Sequence, residues 1–246
     1  MHRNPGHVLV ANPGTDVYGS DLQMLESVRG LVSRGWTVTV AAPSDGPLTQ
    51  RLRDAGADVR FLSFPVLRRS TMSVGPLLAL AWELLAAVPR LVRAGRALEA
   101  DVVYVNTVTI PWWVVAGRLA GRRTVCHVHE AENSDGRLVR TLLSLPLLLA
   151  DALIVISTSA REALCEVLPT LHRRMNLVPN GVPGPRAALP AVERPGRRLA
   201  VVGRLSPRKA PHVALEAVSL LRAAGREPLR HLARVAGGGS SQGDET

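Results

Sequence analysis

A parallel α/β sheet with helices on both faces is the fold this sequence predicts, and three observations predict it. Short β-rich runs alternate with longer segments of helical period along most of the chain. One apolar stretch, 142–156, changes from Leu-rich to Ile/Val-rich at Asp151, the mark of a helix handing over to a strand. The length of 246 residues, with 46% apolar and 20% charged residues, suffices to bury a sizeable core.

In order, strands are predicted at 8–11, 37–41, 59–62, 102–105, 124–127, 153–156 and 176–178. Helices are predicted between them at 20–34, 47–55, 75–98, 111–120, 136–149 and 159–168. Such alternation places parallel strands under helices on both sides, with ligands at the carboxyl ends of the strands. Two segments approach membrane-span composition, but 74–88 contains Glu83 and stops at Pro89, and 142–156 contains Pro146 and Asp151. Neither reaches the roughly 20 apolar residues that a spanning helix needs.

From Pro179 to Arg198 the sequence turns rich in Pro, Gly and Arg without periodicity, as a linker does. A new strand follows at 199–202. Helical spacing resumes over 211–223, with Pro211 suited to the first turn. Beyond Gly225 the pattern decays, and 237–246 reads as a disordered tail. The expected organisation is a first domain over 1–180, a linker over 181–198, and an incomplete second domain over 199–246.

The net charge is +10, but of 30 basic residues only Lys209 is lysine, so solvated arginines account for most of that charge. A basic face favours anionic lipid surfaces or phosphorylated substrates. Aromatic residues are only 3%, with none set among the arginines as base-stacking platforms, which argues against nucleic acid. Cys126 and Cys165 have no metal-ligand spacing and read as buried thiols in a reducing compartment. The first residues lack a signal-peptide core, so the expected location is cytoplasmic, with peripheral contact at the inner face of an anionic membrane as an extension.

Chemistry concentrates in the loops that follow the strands. The turn from Asn12 to Asp21 joins the first strand to a helix, and glycine there lets backbone amides approach an anion. Gly14 and Gly19 have P-loop glycine spacing, but Ser20-Asp21 stands where Lys-Ser/Thr belongs, and GxGxxG is absent. Ser20 or Asp21 as a helix cap explains the turn equally well. His127 and His129 share one face at the end of the fifth strand while Glu130 faces the other way. His129 could donate a hydrogen bond to a substrate oxygen; a purely structural histidine pair is the commoner case. Asn106-Thr107 either contacts substrate or caps the turn before Pro111. Ser157-Thr158-Ser159 reads as a helix cap, and Asn180-Gly181 as a hinge. In the run Gly203-Arg204-Leu205-Ser206-Pro207-Arg208-Lys209, Arg204 supplies a planar fork and Lys209 a point charge, a pair able to hold a diphosphate. A solvated basic loop is the alternative.

Taken in order, YGSD, ADVVYVNT, CHVHE, ADALIVISTSAREAL, LVPNGV and VGRLSPRKAPHVALEAV resemble the family 4 retaining glycosyltransferases of the GT-B fold, over about residues 8–224. The resemblance implies two Rossmann-like domains and transfer of a sugar from a nucleotide-sugar donor to a glycan or lipid-linked acceptor, with no cofactor or metal. Gly19 would lie at the donor phosphate through its amide, His129 would approach the donor sugar, and Arg204 and Lys209 would neutralise the leaving diphosphate. Ser20, Asp21, Asn106, Glu130 and Asn180 are further candidate substrate contacts. The family's paired-glutamate motif has no counterpart here, since Glu216, Glu227 and Glu245 beyond Lys209 lack its arrangement. The expectation is therefore a transferase impaired by truncation of its donor domain. A non-catalytic acceptor-side module is the alternative, and a nucleotide-dependent oxidoreductase ranks below it for want of a phosphate fingerprint.

Overall fold

A computed structural model describes residues 5–67, 74–129, 137–182, 184, 199–202, 210–225 and 232–235. Two compact units divide the chain, Met1–Val182 and Pro183–Thr246.

Among the described residues, the first unit carries seven strands: β1 (His7–Ala11), β2 (Thr37–Ala42), β3 (Asp58–Phe61), β4 (Val102–Val105), β5 (Arg123–Val128), β6 (Ala152–Val155) and β7 (Met175–Leu177). They form one sheet in the order β3-β2-β1-β4-β5-β6-β7, and every pairing is parallel. Helices α1 (Gly19–Val32), α2 (Pro47–Asp54), α3 (Val74–Ala97), α4 (Trp112–Leu119), α5 (Arg137–Ser144) and α6 (Thr158–Val167) connect them. Each lies within two residues of its sequence expectation except α5, which ends early. Its last turn is a 3-10 segment, Leu145–Leu149, because Pro146 has no N–H to continue the α ladder.

Strand alternation divides the core between two faces. Val8 and Val10 of β1 join Val38 and Val40 of β2 under Met24, Leu25 and Val28 of α1 and Leu48 and Leu52 of α2. Leu9, Val103, Cys126, Leu153 and their strand neighbours point the other way, against Leu91 of α3 and the fully buried Trp113 of α4. Phe64 meets Trp113 edge to face at 5.5 Å. Helix α4 approaches the sheet closely at Gly117, where a Cβ would stand 2.5 Å from Thr124 Cγ2 and 3.1 Å from Val103 Cβ. Ser157 caps α6 as expected, its Oγ accepting from Ala160 N at 3.1 Å. Cys126 is buried, whereas Cys165 is only half-buried.

In the second unit, β8 (Leu199–Val202) leads into α7 (Pro211–Ala223), and a further strand, β9 (Leu232–Val235), pairs parallel with β8. The sequence reading stopped at one βα unit. Four residues set among arginines carry too little periodic signal, and only pairing with β8 reveals this strand. None of the described residues of α7 is buried, although Val213, Leu215, Leu220 and Leu221 are apolar. Among the described residues, no helix is long and apolar enough to cross a membrane.

Candidate active site

The strand order reverses between β1 and β4: β2 and β3 extend to one side of β1, and β4 to β7 to the other. A parallel sheet opens a crevice at such a point, because the flanking loops leave in opposite directions. Asn12, Asn106 and His129 are each the first residue past a strand there, after β1, β4 and β5 respectively. Parallel register brings those strand ends level, so residues far apart in sequence become neighbours.

One hydrogen-bonded chain links them. Asn12 Nδ2 donates to Asp21 Oδ1 at 2.9 Å and to the Gly14 carbonyl at 2.8 Å. Asn106 Nδ2 donates to Asn12 Oδ1 at 2.7 Å, and Asn106 Oδ1 lies 2.9 Å from His129 Nε2. Asn106 Nδ2 also lies 3.5 Å from the Ser20 carbonyl. Asn12 and Asn106 are each only 1% exposed and Asp21 5%. Asp21 Oδ2 accepts from Tyr18 N at 3.1 Å, so this carboxylate also closes the first turn of α1. Burial raises the Asp21 pKa above the ordinary carboxylate value, against the opposing bonds from Asn12 and Tyr18.

His127 and His129 lie on one face as expected, with ring centroids 4.0 Å apart. His127 is buried, and its Nδ1 is 2.5 Å from the Tyr104 hydroxyl. Its Nε2 has no partner among the described residues. Burial, reinforced by the neighbouring His129, lowers the His127 pKa to about 3, and burial alone lowers that of His129 to about 4. Both rings are therefore neutral near pH 7, and Tyr104 is held protonated by its own burial.

Three of the sequence candidates thus converge: Asp21, Asn106 and His129. Asn106 reaches the site through its contact with His129, since its amide is buried and engaged at both ends. Gly19 is the first residue of α1, and the space where a side chain would stand is open to 4 Å. Ser20 follows it, half-buried. Asn180 lies exposed after the edge strand β7. Glu130, Arg204 and Lys209 lie outside the described residues. No group of three or more metal-ligating side chains occurs among the described residues. Sequence reasoning missed Asn12 as a site residue. Its signal was an asparagine ending β1 just as Asn106 ends β4.

This sheet defines the class of fold: it matches the N-terminal domain of GT-B glycosyltransferases. Anabaena HepE, solved with UDP and glucose, matches with a TM-score of 0.64 at 18% identity over 87% of this chain and 58% of its own. A glycosyltransferase from Rickettsia africae matches with a TM-score of 0.68 at 11% identity, over 95% of this chain and 68% of its own. The lipopolysaccharide outer core galactosyltransferase WaaB, in its apo form, matches with a TM-score of 0.58 at 13% identity, over 93% and 67%. In the first of these matches the chain spans less than two thirds of the HepE chain. No curated protein sequence matches significantly. The model of Glycosyltransferase Family 4 matches residues 19–183, and the chain belongs to that family.

Proposed function

We propose that this protein serves sugar transfer from a nucleotide-sugar donor to a glycan or lipid-linked acceptor, the first unit holding the acceptor and the sugar-facing half of the site. The observation that carries the reading is the meeting of His129 with the N-terminal loop of α1 at the switch point of a family 4 sheet. Gly19 sits at the start of a 14-residue helix with open space above it, where exposed amides and the helix dipole favour a phosphate. His129 stands two strands away, within reach of the same crevice by way of Asn106. Arg204 and Lys209 are assigned the diphosphate from the family pattern, as cations that stabilise the leaving anion. The existence of HepE complexes with UDP and UDP-glucose supports a nucleotide-sugar as the donor class.

A second reading, a module that keeps the acceptor-side fold without turnover, is favoured by one observation. Helix α7 of the second unit buries none of its described residues, so it offers little rigid support for a donor. Turnover of this chain is accordingly expected to be weak or absent. A thermal-shift screen of nucleoside diphosphates and nucleotide-sugars tests donor binding. A shift that disappears in the Arg204→Ala/Lys209→Ala variant supports the proposal, and no shift with any nucleotide sinks it. Measurable sugar transfer by the purified chain would overturn the second reading.

A further inference from the structure

The hydrogen-bonded chain beneath His129 has a direction, and it closes only one way. The Gly14 carbonyl is an acceptor and nothing else, and the Asp21 carboxylate accepts at both oxygens in this geometry. Both face the same nitrogen of Asn12, so the Asn12 amide is oriented with Nδ2 towards them and Oδ1 towards Asn106. Asn106 must then present its own Nδ2 to Asn12, at 2.7 Å, which turns its Oδ1 towards His129. That oxygen can only accept. The proton at the 2.9 Å contact therefore belongs to His129 Nε2, and a neutral ring so protonated carries its lone pair on Nδ1. Reversing any one amide would set oxygen against oxygen or N–H against N–H in a region where Asn12 and Asn106 are 1% exposed and water offers little relief.

We infer that Asn12 and Asn106 are positioning residues that hold His129 as its Nε2-protonated tautomer and lock it to the loop that opens α1. The inference rests on the proposed role of His129 beside the donor sugar, and it deepens that role in two ways. First, the Nε2 proton is already given to Asn106, so this nitrogen does not donate to a substrate oxygen as the sequence reading supposed. The other ring nitrogen, Nδ1, then carries a lone pair instead of a proton and is itself buried, so the neutral ring has no second N–H to offer a phosphate oxygen. Second, the Gly14 carbonyl, Asp21 at the start of α1, and His129 past β5 become one hydrogen-bonded body spanning the ends of three strands. Phosphate-side and sugar-side groups then keep a fixed separation, which is what orienting a reacting sugar requires.

The tautomer is measurable on the full chain without nucleotide. Long-range 1H–15N correlation spectra of the imidazoles, with His129 identified by its disappearance in His129→Gln, are expected to show a single Nε2-protonated ring near neutral pH. Asn12→Ala leaves His129 untouched but removes the shorter of the two acceptors that orient Asn106 Nδ2, leaving the 3.5 Å contact with the Ser20 carbonyl, so a minor population of the other tautomer is expected to appear. Asn106→Leu is expected to abolish the slowly exchanging Nε2 proton signal. An Nδ1-protonated ring in the unmodified protein would overturn the inference outright, whether or not the variants fold. An unchanged, single Nε2-protonated tautomer in a folded Asn12→Ala variant would overturn the role of Asn12, the Ser20 carbonyl then sufficing to orient Asn106. These readouts need no donor: absence of nucleotide binding would sink the proposed function and leave the tautomer result standing, whereas an altered tautomer assignment would leave donor binding standing.

Discussion

Acidification is expected to unfold this protein through His127, and the magnitude follows from its surroundings. The side chain is 3% exposed, bonded to Tyr104 at one nitrogen, and its pKa falls to about 3 from an ordinary 6.5. The folded state thus resists the proton until the pH nears 3, whereas the unfolded chain takes it up near 6.5. Between these values the unfolded state binds more protons, so stability rises with pH and is lost as the pH falls through 6.5 towards 3. At about pH 5 this one group costs about 2 kcal/mol relative to neutral pH. That corresponds to a fall of roughly 4–8 °C in midpoint for a chain of this size. His127→Gln removes the titration while keeping a side chain able to bond the Tyr104 hydroxyl. Urea unfolding followed by tryptophan fluorescence, near pH 7 and near pH 5, should show the unmodified protein losing about 2 kcal/mol more than the variant. His129 shifts in the same direction but is present in both proteins, so the difference isolates His127. Equal losses in the two proteins would refute the argument that burial keeps this ring neutral.

Three further outcomes are expected. Gly117→Ala forces a methyl against Thr124 and Val103, and should destabilise the first unit by about 1–3 kcal/mol in the same urea assay. Ser157→Ala removes the acceptor for Ala160 N at the start of α6 and should cost about 1 kcal/mol. Gly19→Ala meets no protein atom within 4 Å and should leave the melting temperature unchanged, yet weaken nucleoside diphosphate binding by calorimetry. Undiminished affinity in that variant would remove Gly19 from the donor site.

Much of the fold is written in local pattern. The β-rich runs of β1, β2 and β4 and the helical spacing of α1, α2 and α7 each bury or present an apolar face that short-range periodicity reveals. The sequence reading ran one helix through Pro146 to 149, and the 3-10 turn that this proline produces became visible only in the backbone. Strand β9 escaped because its evidence lies in its partner β8, not in its own four residues.

The site divides along the same line. By itself the sequence determined the class of the sheet, the loops that carry chemistry, and the candidacy of Gly19, Asp21, Asn106 and His129, because turn chemistry and strand ends are local properties. It could not determine that Asn12 joins them, or which way each amide points. Those depend on β1, β4 and β5 lying side by side in parallel register, which brings Asn12 and Asn106 together across 94 positions of sequence. Burial then forces every polar atom there to find a partner, and that requirement, present only in the folded protein, turns separate loop residues into one oriented network.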